Sequence, residues 1–124
     1  MTEAITAQGH QLQREALERA HAFDITGAKS RLCAGDGGHE TVHESARLQI
    51  SVYALAAPEP EHRTLNAEED ELYIVLEGSG MLDVDGEQLA LREGRLAFIP
   101  AGSNRRFTAY EHLTVLAIRA REDL

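Results

Sequence analysis

Short apolar runs separated by turn residues dominate the chain from residue 26 onward. Glycine, proline, asparagine and aspartate recur at strand-length intervals, and the runs between them are rich in aliphatic and β-branched residues. The predicted strands are residues 47–55, 71–78, 80–86, 88–94, 95–100, 106–110 and 113–120. Short strands with turn signals this frequent predict an all-β sandwich or barrel.

The Asp85-Gly86 pair is the strongest turn signal in this pattern. A type I′ turn needs positive φ at both central residues, and glycine adopts that conformation without strain. The pair therefore predicts a two-residue hairpin that joins the runs 80–86 and 88–94.

Polar and aliphatic side chains alternate along the run 47–55, so the pattern assigns them to opposite faces of a strand. The aliphatic positions are Leu48, Ile50, Val52 and Ala54, and the polar positions are Gln49, Ser51 and Tyr53. The polar face either lines a binding cavity or lies in solvent, because barrels and open sheets alternate in the same way.

A helical pattern precedes the predicted strands. Residues 11–22 contain no glycine or proline, and their apolar residues fall close to one helical face. These apolar residues are Leu12, Ala16, Leu17 and Ala20. The spacing predicts a short amphipathic helix, followed by Asp24 and Thr26 as turn or cap residues. The chain is accordingly divided into an N-terminal arm and helix, residues 1–25, and a barrel, residues 26–124.

Composition and charge narrow the function classes. The chain has 124 residues, which suits one domain, and its 12 basic and 21 acidic residues give a formal net charge of -9. Such a charge repels phosphate backbones, so nucleic acid is not an expected partner. No run is apolar over the roughly 18 residues that span a bilayer, and the first residues lack a signal-peptide pattern. We therefore expect a soluble, cytoplasmic protein with no membrane partner.

The chain contains one cysteine, Cys33. A single cysteine excludes an internal disulfide and a thiolate-cluster metal site, so any metal ligand must be a histidine or a carboxylate. With no base beside it in the sequence, Cys33 is predicted to be a small buried residue.

Two stretches of the chain resemble the signature motifs of the cupin superfamily. In the first, Glu71 is followed by the six residues LYIVLE and then by Gly78. In the second, Gly94 is followed by RLAFI and then by Pro-Ala-Gly at residues 100–102. The strand-turn-strand segment between them is also cupin-like. The resemblance, to a small single-domain member, implies a jelly-roll β-barrel with a short N-terminal helix and a cavity for a small-molecule ligand.

The chain departs from the family at the metal-binding positions, so its metal motifs are interpreted as degenerate. The paired histidines of the first motif fall on Thr64 and Asn66 or, in the other spacing, on Leu65 and Ala67. The histidine of the second motif falls on Arg105, which has no lone pair for a metal and repels a cation. Of the four ligands that the family uses, Glu71 remains, and we expect no cofactor.

One arrangement would restore a metal site. In an extended strand His62 shares a face with Thr64 and Asn66, and a long hairpin before Glu71 would bring His62 and Glu71 into the cavity together. A divalent transition metal held there would take a further ligand, for which the candidates are His39, His43 and His112. In the alternative, His62 is a surface-loop histidine.

The resemblance also indicates which polar residues meet in the cavity. These are the predicted catalytic residues Glu71, His62 and Tyr73 and the predicted substrate-binding residues Arg105, Asn66, Thr64, Phe107, Tyr53 and Gln49. Arg105 would bind an anionic group, Glu71 or His62 would move a proton, and Tyr73 would orient the substrate or donate to it. The alternative is a structural ion pair between Arg105 and Glu71, which would leave the barrel without a reactive centre.

Three functions remain open. The first, which we favour, is a metal-independent isomerase, epimerase, cyclase or lyase that acts on a small polar or anionic metabolite. The second is a metal-dependent, dioxygenase-like or lyase-like enzyme that uses His62 and Glu71. The third is a ligand-binding or regulatory protein without catalysis. In each case we expect a homodimer with the N-terminal arm or helix on the partner, because the runs 48–55 and 113–118 are predicted to be sheet edges that need cover.

Overall fold

The computed structural model describes residues 19–35, 37–55 and 68–121, together with the backbone of residues 65–66. Its elements in chain order are α1 (Ile25–Ala34), β1 (Gly38–Glu44), β2 (Leu48–Leu55), β3 (Leu65–Asn66), β4 (Glu71–Val84), β5 (Glu87–Arg92), β6 (Leu96–Ile99) and β7 (Asn104–Ala120). The strands form one seven-stranded sheet in the order β1-β2-β7-β4-β5, with β3 paired to β7 and β6 paired to β4. The fold is therefore mostly β-strand with one short helix near the N-terminus, as predicted. No helix in the described part of the chain has the length and apolar character needed to cross a bilayer.

The two longest strands, β4 and β7, each contain two of the predicted runs. β4 continues through the glycine-rich segment at residues 77–80, and β7 continues through His112, whose φ is 45°. Between them, Gly78 has a φ of 81°, and a Cβ at this position would lie 2.2 Å from the carbonyl oxygen of His112. Glycine is therefore required at position 78, and the turn signals there mark a bend within paired strands instead of a strand end.

The predicted hairpin at Asp85-Gly86 is confirmed. Val84 of β4 pairs with Glu87 of β5, and the two turn residues between them have φ values of 50° and 90°. Positive φ at both central positions is the type I′ conformation.

Each face of the sheet carries an apolar cluster. The inner face carries the larger core cluster, in which Leu82 and Leu113 are fully buried. On the outer face α1 packs Ala28 against Val52 and Leu116. The aliphatic residues of β2 thus face the helix, and its polar residues face the inside of the barrel.

The helix α1 and the strand β1 are absent from the predicted elements. Asp24 caps the N-terminus of α1, because its carboxylate accepts a hydrogen bond of 2.9 Å from the Gly27 backbone N–H. The prediction of a cap at Asp24 is therefore confirmed, but the prediction for Thr26 is wrong because Thr26 lies within α1. The predicted helix over residues 11–22 lies mostly outside the described residues, and residues 19–22, which are described, are not helical. Cys33 is exposed on α1, so the prediction that it is buried is wrong.

The strands β2 and β7 are not edges of the sheet. β2 lies between β1 and β7, and β7 lies between β2 and β4. The prediction that the runs 48–55 and 113–118 need cover as edges is therefore wrong, and the reason is that the unpredicted strand β1 occupies the free side of β2. The homodimer itself and the division of the chain after residue 25 stay predictions.

Candidate functional site

The backbone register lines up polar side chains in rows across the inner face of β1, β2, β7 and β4. The rows are Gln49–Arg119–Glu71, Thr41–Ser51–Ala117–Tyr73 and His39–Tyr53. Directly opposed residues of antiparallel strands have Cβ atoms about 4.5–5.5 Å apart, so neighbours within a row are in contact range.

All members of these rows except Tyr73 line a pocket with a volume of about 200 Å³. It is lined by His39, Thr41, Gln49, Ser51, Tyr53, Glu71, Ala117 and Arg119. A pocket of this size has room for a small polar metabolite. The predicted residues Gln49, Tyr53 and Glu71 meet in this pocket, and the polar face of β2 therefore lines a cavity.

Arg119 supplies the guanidinium group of the pocket, and it is absent from the predicted site. It is half-buried, lies opposite Glu71 in the pairing of β7 with β4, and donates from Nη2 to Oε1 of Gln49. A guanidinium carries five N–H donors, so one such bond leaves further donors for an anion. The sequence does hold a signal for Arg119: it is the lone charged residue in the run 113–120, two positions after the inward-facing Ala117.

Side-chain contacts hold the wall formed by β1 and β2. The rings of His39 and Tyr53 stack with centroids 5.3 Å apart. The hydroxyl oxygens of Thr41 and Ser51 are 3.1 Å apart, within hydrogen-bond distance. This wall offers hydroxyl and imidazole groups whose positions are set by neighbours before any ligand binds. Of these residues, His39 is predicted only as a possible metal ligand, and Thr41 is absent from the predicted site.

Glu71 forms a buried ion pair with Arg105. Nη1 of Arg105 donates to Oε1 of Glu71, and Nη2 donates to the carbonyl oxygen of Ser103 at 3.4 Å. Arg105 is 0% exposed, Glu71 is 7% exposed, and Arg105 does not line the pocket. Within the described residues, Nε of Arg105 has no hydrogen-bond partner. The ion pair that the sequence leaves open as an alternative is therefore present.

Burial governs the protonation of these groups. It raises the pKa of the Glu71 carboxyl above its usual range, although the guanidinium groups of Arg105 and Arg119 oppose that rise. Burial also raises the pKa of the Tyr53 hydroxyl, and the negative charge of Glu71 adds to this rise. A carboxyl with a raised pKa accepts and returns a proton closer to neutral pH, which is the property of a general acid or base.

Tyr73 and Phe107 meet as expected, but their rings pack in the buried core, where the Tyr73 hydroxyl also interacts with the Glu71–Arg105 pair. Their rings stack with centroids 5.8 Å apart and an angle of 14° between the planes. Tyr73 is 2% exposed, and burial raises the pKa of its hydroxyl, which holds the phenol neutral. Neither ring lines the pocket.

Three predicted site residues lie in the segment before Glu71, and the structure does not describe their side chains. His62 and Thr64 lie outside the described residues, and the side chain of Asn66 does too. The backbone of β3 pairs Leu65 with Arg105 and Asn66 with Asn104. The convergence of His62, Thr64 and Asn66 on the cavity therefore stays a prediction.

The described part of the pocket does not suit a transition metal. No three histidine, cysteine or acidic side chains among the described residues lie close enough to hold a metal ion. His43 pairs with Ile50 on the outer face, and His112 is exposed at the bend of β7, so neither lines the pocket. The guanidinium of Arg105 against Glu71 would also repel a cation. A contribution from His62 stays a prediction.

Solved structures of other proteins share this fold. The protein TT1209 of Thermus thermophilus is 23% identical over 83% of this chain and 99% of its own, with a TM-score of 0.67. The DMSP lyase DddQ of Ruegeria pomeroyi is 20% identical over 72% of this chain and 48% of its own, with a TM-score of 0.62. A proposed mannose-6-phosphate isomerase of Ralstonia eutropha is 20% identical over 69% of this chain and 85% of its own, with a TM-score of 0.58. Likeness at these identities concerns the fold and not the reaction.

Sequence comparison identifies the family. A search of curated protein sequences gives no significant match to this chain. The family profile described as "Cupin domain" matches residues 52–119, which is more than half of the chain and includes β4, β5, β6, half of β2 and nearly all of β7. The chain therefore belongs to the cupin family.

Proposed function

We propose that this cupin is an enzyme that performs metal-independent acid–base chemistry on a small anionic metabolite, as an isomerase, epimerase, cyclase or lyase. Arg119 binds the anionic group of the metabolite, and Glu71 transfers the proton. The observation that carries the proposal is that Glu71 and Arg119 are cross-strand partners lining one small pocket.

We assign anion binding to Arg119 instead of Arg105, the residue predicted to bind the anion. Arg105 is fully buried and lies outside the pocket lining, whereas Arg119 is half-buried and lines the pocket. A carboxylate or phosphate is recognised by the planar fork of a guanidinium, and partial burial strengthens the attraction because less water screens it. The bond to Gln49 keeps the fork oriented.

Glu71 is the acid–base group because it lines the pocket and its pKa is raised by burial. Arg105 acts through Glu71 as a positioning residue: its bond to Oε1 fixes the carboxylate in one orientation, and its charge limits the rise of the Glu71 pKa. A substrate held by Arg119 thus has its adjacent carbon or hydroxyl near the Glu71 carboxylate, since the two side chains stand opposite each other on β7 and β4.

The names of two structural relatives support the reaction classes without deciding between them. One is a lyase and the other a proposed isomerase. Both classes can begin with removal of a proton from carbon by a general base; an isomerase then returns a proton to another position, whereas a lyase expels a leaving group. Tyr53, stacked on His39, is a second proton donor within the same lining.

The test begins with small carboxylates and phosphate esters that raise the thermal unfolding temperature of the untagged protein. Each compound that binds is then incubated with the protein in D2O, and NMR follows exchange of its C–H protons and any product. Glu71→Gln should lower exchange and turnover at least about 100-fold while the compound still binds, because the amide cannot take the proton. Arg119→Gln should weaken binding, with Arg106→Gln as the control because Arg106 is an exposed arginine of the same strand.

Two outcomes would contradict the proposal. Unchanged binding by Arg119→Gln would remove the anion-binding role, and unchanged exchange by Glu71→Gln would remove the acid–base role. A second candidate function, ligand binding without catalysis, is favoured by one observation: the Glu71 carboxylate is already paired with Arg105. Recovery of a bound compound unaltered after prolonged incubation, with no C–H exchange, would support this second function.

A further inference from the structure

A pair of histidines lies on the outer face of the sheet, away from the pocket. β1 contains an irregularity between Thr41 and His43, so Thr41 pairs with Ser51 while His43 pairs with Ile50. His43 therefore shares the outer face with Ile50, and there it meets His21 from the segment that precedes α1. We call His21 and His43 the outer histidine pair.

The ring nitrogens of the pair are already close. Nδ1 of His43 lies 3.2 Å from Nε2 of His21. Nδ1 of His21 lies 2.6 Å from the carbonyl oxygen of Arg19, and since a carbonyl only accepts, Nδ1 carries the proton. The lone pair of neutral His21 is therefore on Nε2, the nitrogen that faces His43.

The geometry matches that of two imidazoles that share one metal ion. Two Zn–N bonds of about 2.0–2.1 Å at the tetrahedral angle hold their nitrogens about 3.3–3.4 Å apart, and two bonds of about that length at the right angle of square-planar Cu²⁺ hold them about 2.8–3.0 Å apart. The observed separation of 3.2 Å lies between these values. Two imidazole rings whose nitrogens lie 3.2 Å apart can be arranged in two ways. In a straight N–H···N hydrogen bond their centroids would lie about 5.5 Å apart, whereas with both nitrogens bound to one ion the centroids would lie about 5.0 Å apart. The observed centroid separation is 5.1 Å, so the rings are bent away from a straight hydrogen bond.

Neighbouring groups hold this arrangement before any ion binds. Phe23 stacks on His43 with centroids 5.6 Å apart and planes 18° from parallel, and its ring centroid is 5.8 Å from that of His21. The bond of His21 to the carbonyl oxygen of Arg19 is the contact that metal-bound histidines commonly make through their second nitrogen, because it fixes the tautomer and the ring orientation.

We propose that the outer histidine pair binds a divalent transition ion of the kind that prefers imidazole, such as Cu²⁺ or Zn²⁺, with water completing its coordination. His21 binds through Nε2 and His43 through Nδ1, the proton of the His43 ring moving to Nε2. The ion joins the segment before α1 to β1, and it thereby stabilises the docking of α1 on the outer face. This site is separate from the pocket and does not depend on the proposed enzymatic function.

Copper is the probe of choice, because imidazole sites bind Cu²⁺ most tightly among the divalent first-row ions. Untagged, chelator-treated protein is titrated with Cu²⁺ in a non-coordinating buffer and followed by calorimetry and by the visible absorbance of the ion. The wild-type chain should bind one equivalent, and its unfolding temperature should rise with Cu²⁺ concentration. His21→Gln and His43→Gln should each weaken binding roughly tenfold or more and abolish the thermal shift.

Two control variants locate the ion. His112→Asn removes an exposed histidine at a position of positive φ, which asparagine tolerates, and it should leave the titration unchanged. His39→Gln removes the pocket histidine, and loss of binding in this variant alone would place the ion in the barrel and overturn the proposal. The absence of binding by wild-type protein, or unchanged binding by His21→Gln, would overturn it as well. His21 lies outside the strands, so His21→Gln keeps the test decisive should His43→Gln fail to fold.

Discussion

At the scale of single residues, the central feature of the site is the ion pair between Arg105 and Glu71. The guanidinium of Arg105 forms a buried ion pair with the carboxylate of Glu71. A guanidinium can replace the positive charge of a metal, but it cannot polarise a bound oxygen as a metal does. Anion binding by Arg119 and proton transfer by Glu71 are therefore the chemistry that we propose for this site.

Removal of Arg105 should destabilise the protein strongly. Arg105→Met leaves the Glu71 carboxylate buried without its partner, and losing one member of a buried pair costs about 3–5 kcal/mol. Adding Glu71→Leu should recover most of this loss, since replacing both charges by apolar groups is often neutral. Denaturant unfolding of the two variants and the wild type measures both effects. A loss below about 1 kcal/mol in the single variant would contradict the assigned ion pair.

The raised pKa of Glu71 also predicts a pH dependence of stability. A carboxyl whose folded pKa exceeds its unfolded pKa binds its proton more tightly in the folded chain, so stability is full below the unfolded value and falls as pH rises through the folded value. The window therefore starts near the ordinary glutamate pKa of about 4.3 and extends above it. The free energy of unfolding of wild type minus that of Glu71→Gln should fall as pH rises from about 4 toward neutrality. Glu87→Gln, at an exposed position, controls for loss of a negative charge, and a difference that grows with pH would show the opposite sign of shift.

The sequence predicts part of this site and omits the rest for physical reasons. The pairing of Glu71 with Arg105 follows from the two motifs, because motif positions that meet in the family also meet here. Arg119 is absent from the predicted site because a single charged residue near the end of an apolar run is also typical of the end of a strand. Only the pairing of β7 with β4 shows that Arg119 lies opposite Glu71. Whether burial or the neighbouring guanidinium dominates the pKa of Glu71 depends on how deeply the carboxyl is buried, and burial cannot be read from the sequence.

At the scale of elements, most turn signals coincide with strand ends, but the one at residues 77–80 marks a bend within a continuous strand. The hairpin at residues 85–86 follows from local backbone preference alone, so it is predicted correctly. Gly78 and His112 lie where two long strands bend together, and only the pairing of β4 with β7 reveals that both strands continue. Helix α1 has Gly27 in its first turn and little amphipathic pattern, and it is held by its Asp24 cap and by packing of Ala28 on the sheet.

Substitution of Gly78 should therefore cost more than substitution of another glycine with the same backbone conformation. Gly78→Ala combines positive φ with a Cβ 2.2 Å from a carbonyl oxygen, whereas a Cβ at Gly86, φ 90°, meets nothing within 4 Å. We expect Gly86→Ala to lose about 1–2 kcal/mol from backbone strain and Gly78→Ala to lose a further 1–3 kcal/mol or so from the steric conflict. Urea unfolding of the two variants gives the comparison, and equal losses would show that the strands separate at little cost.

At the scale of the whole molecule, the outer face of the sheet is only partly covered. α1 packs over Val52 and Leu116, but the row that continues from Ile118 through Leu72 to Phe98 extends beyond it. Phe98 is 57% exposed and its neighbour Leu96 on β6 is 60% exposed. Large apolar side chains exposed to water at one end of a sheet would be stabilised if a second protein surface covered them.

The predicted homodimer would bury this row, with β6 of one copy against β6 or the N-terminal arm of the other. Because β6 pairs with β4 on one side, its apolar outer face is the surface of this sheet with the most to gain from a partner. Phe98→Asp places a charge in that contact and should shift the protein from dimer to monomer while leaving its circular dichroism spectrum unchanged, since Phe98 is outside the core clusters. Sedimentation equilibrium at micromolar concentration measures the change, and Ala90→Asp, an exposed position on β5, is the matched control. A wild-type protein that sediments as a single species of 13.6 kDa would contradict the dimer.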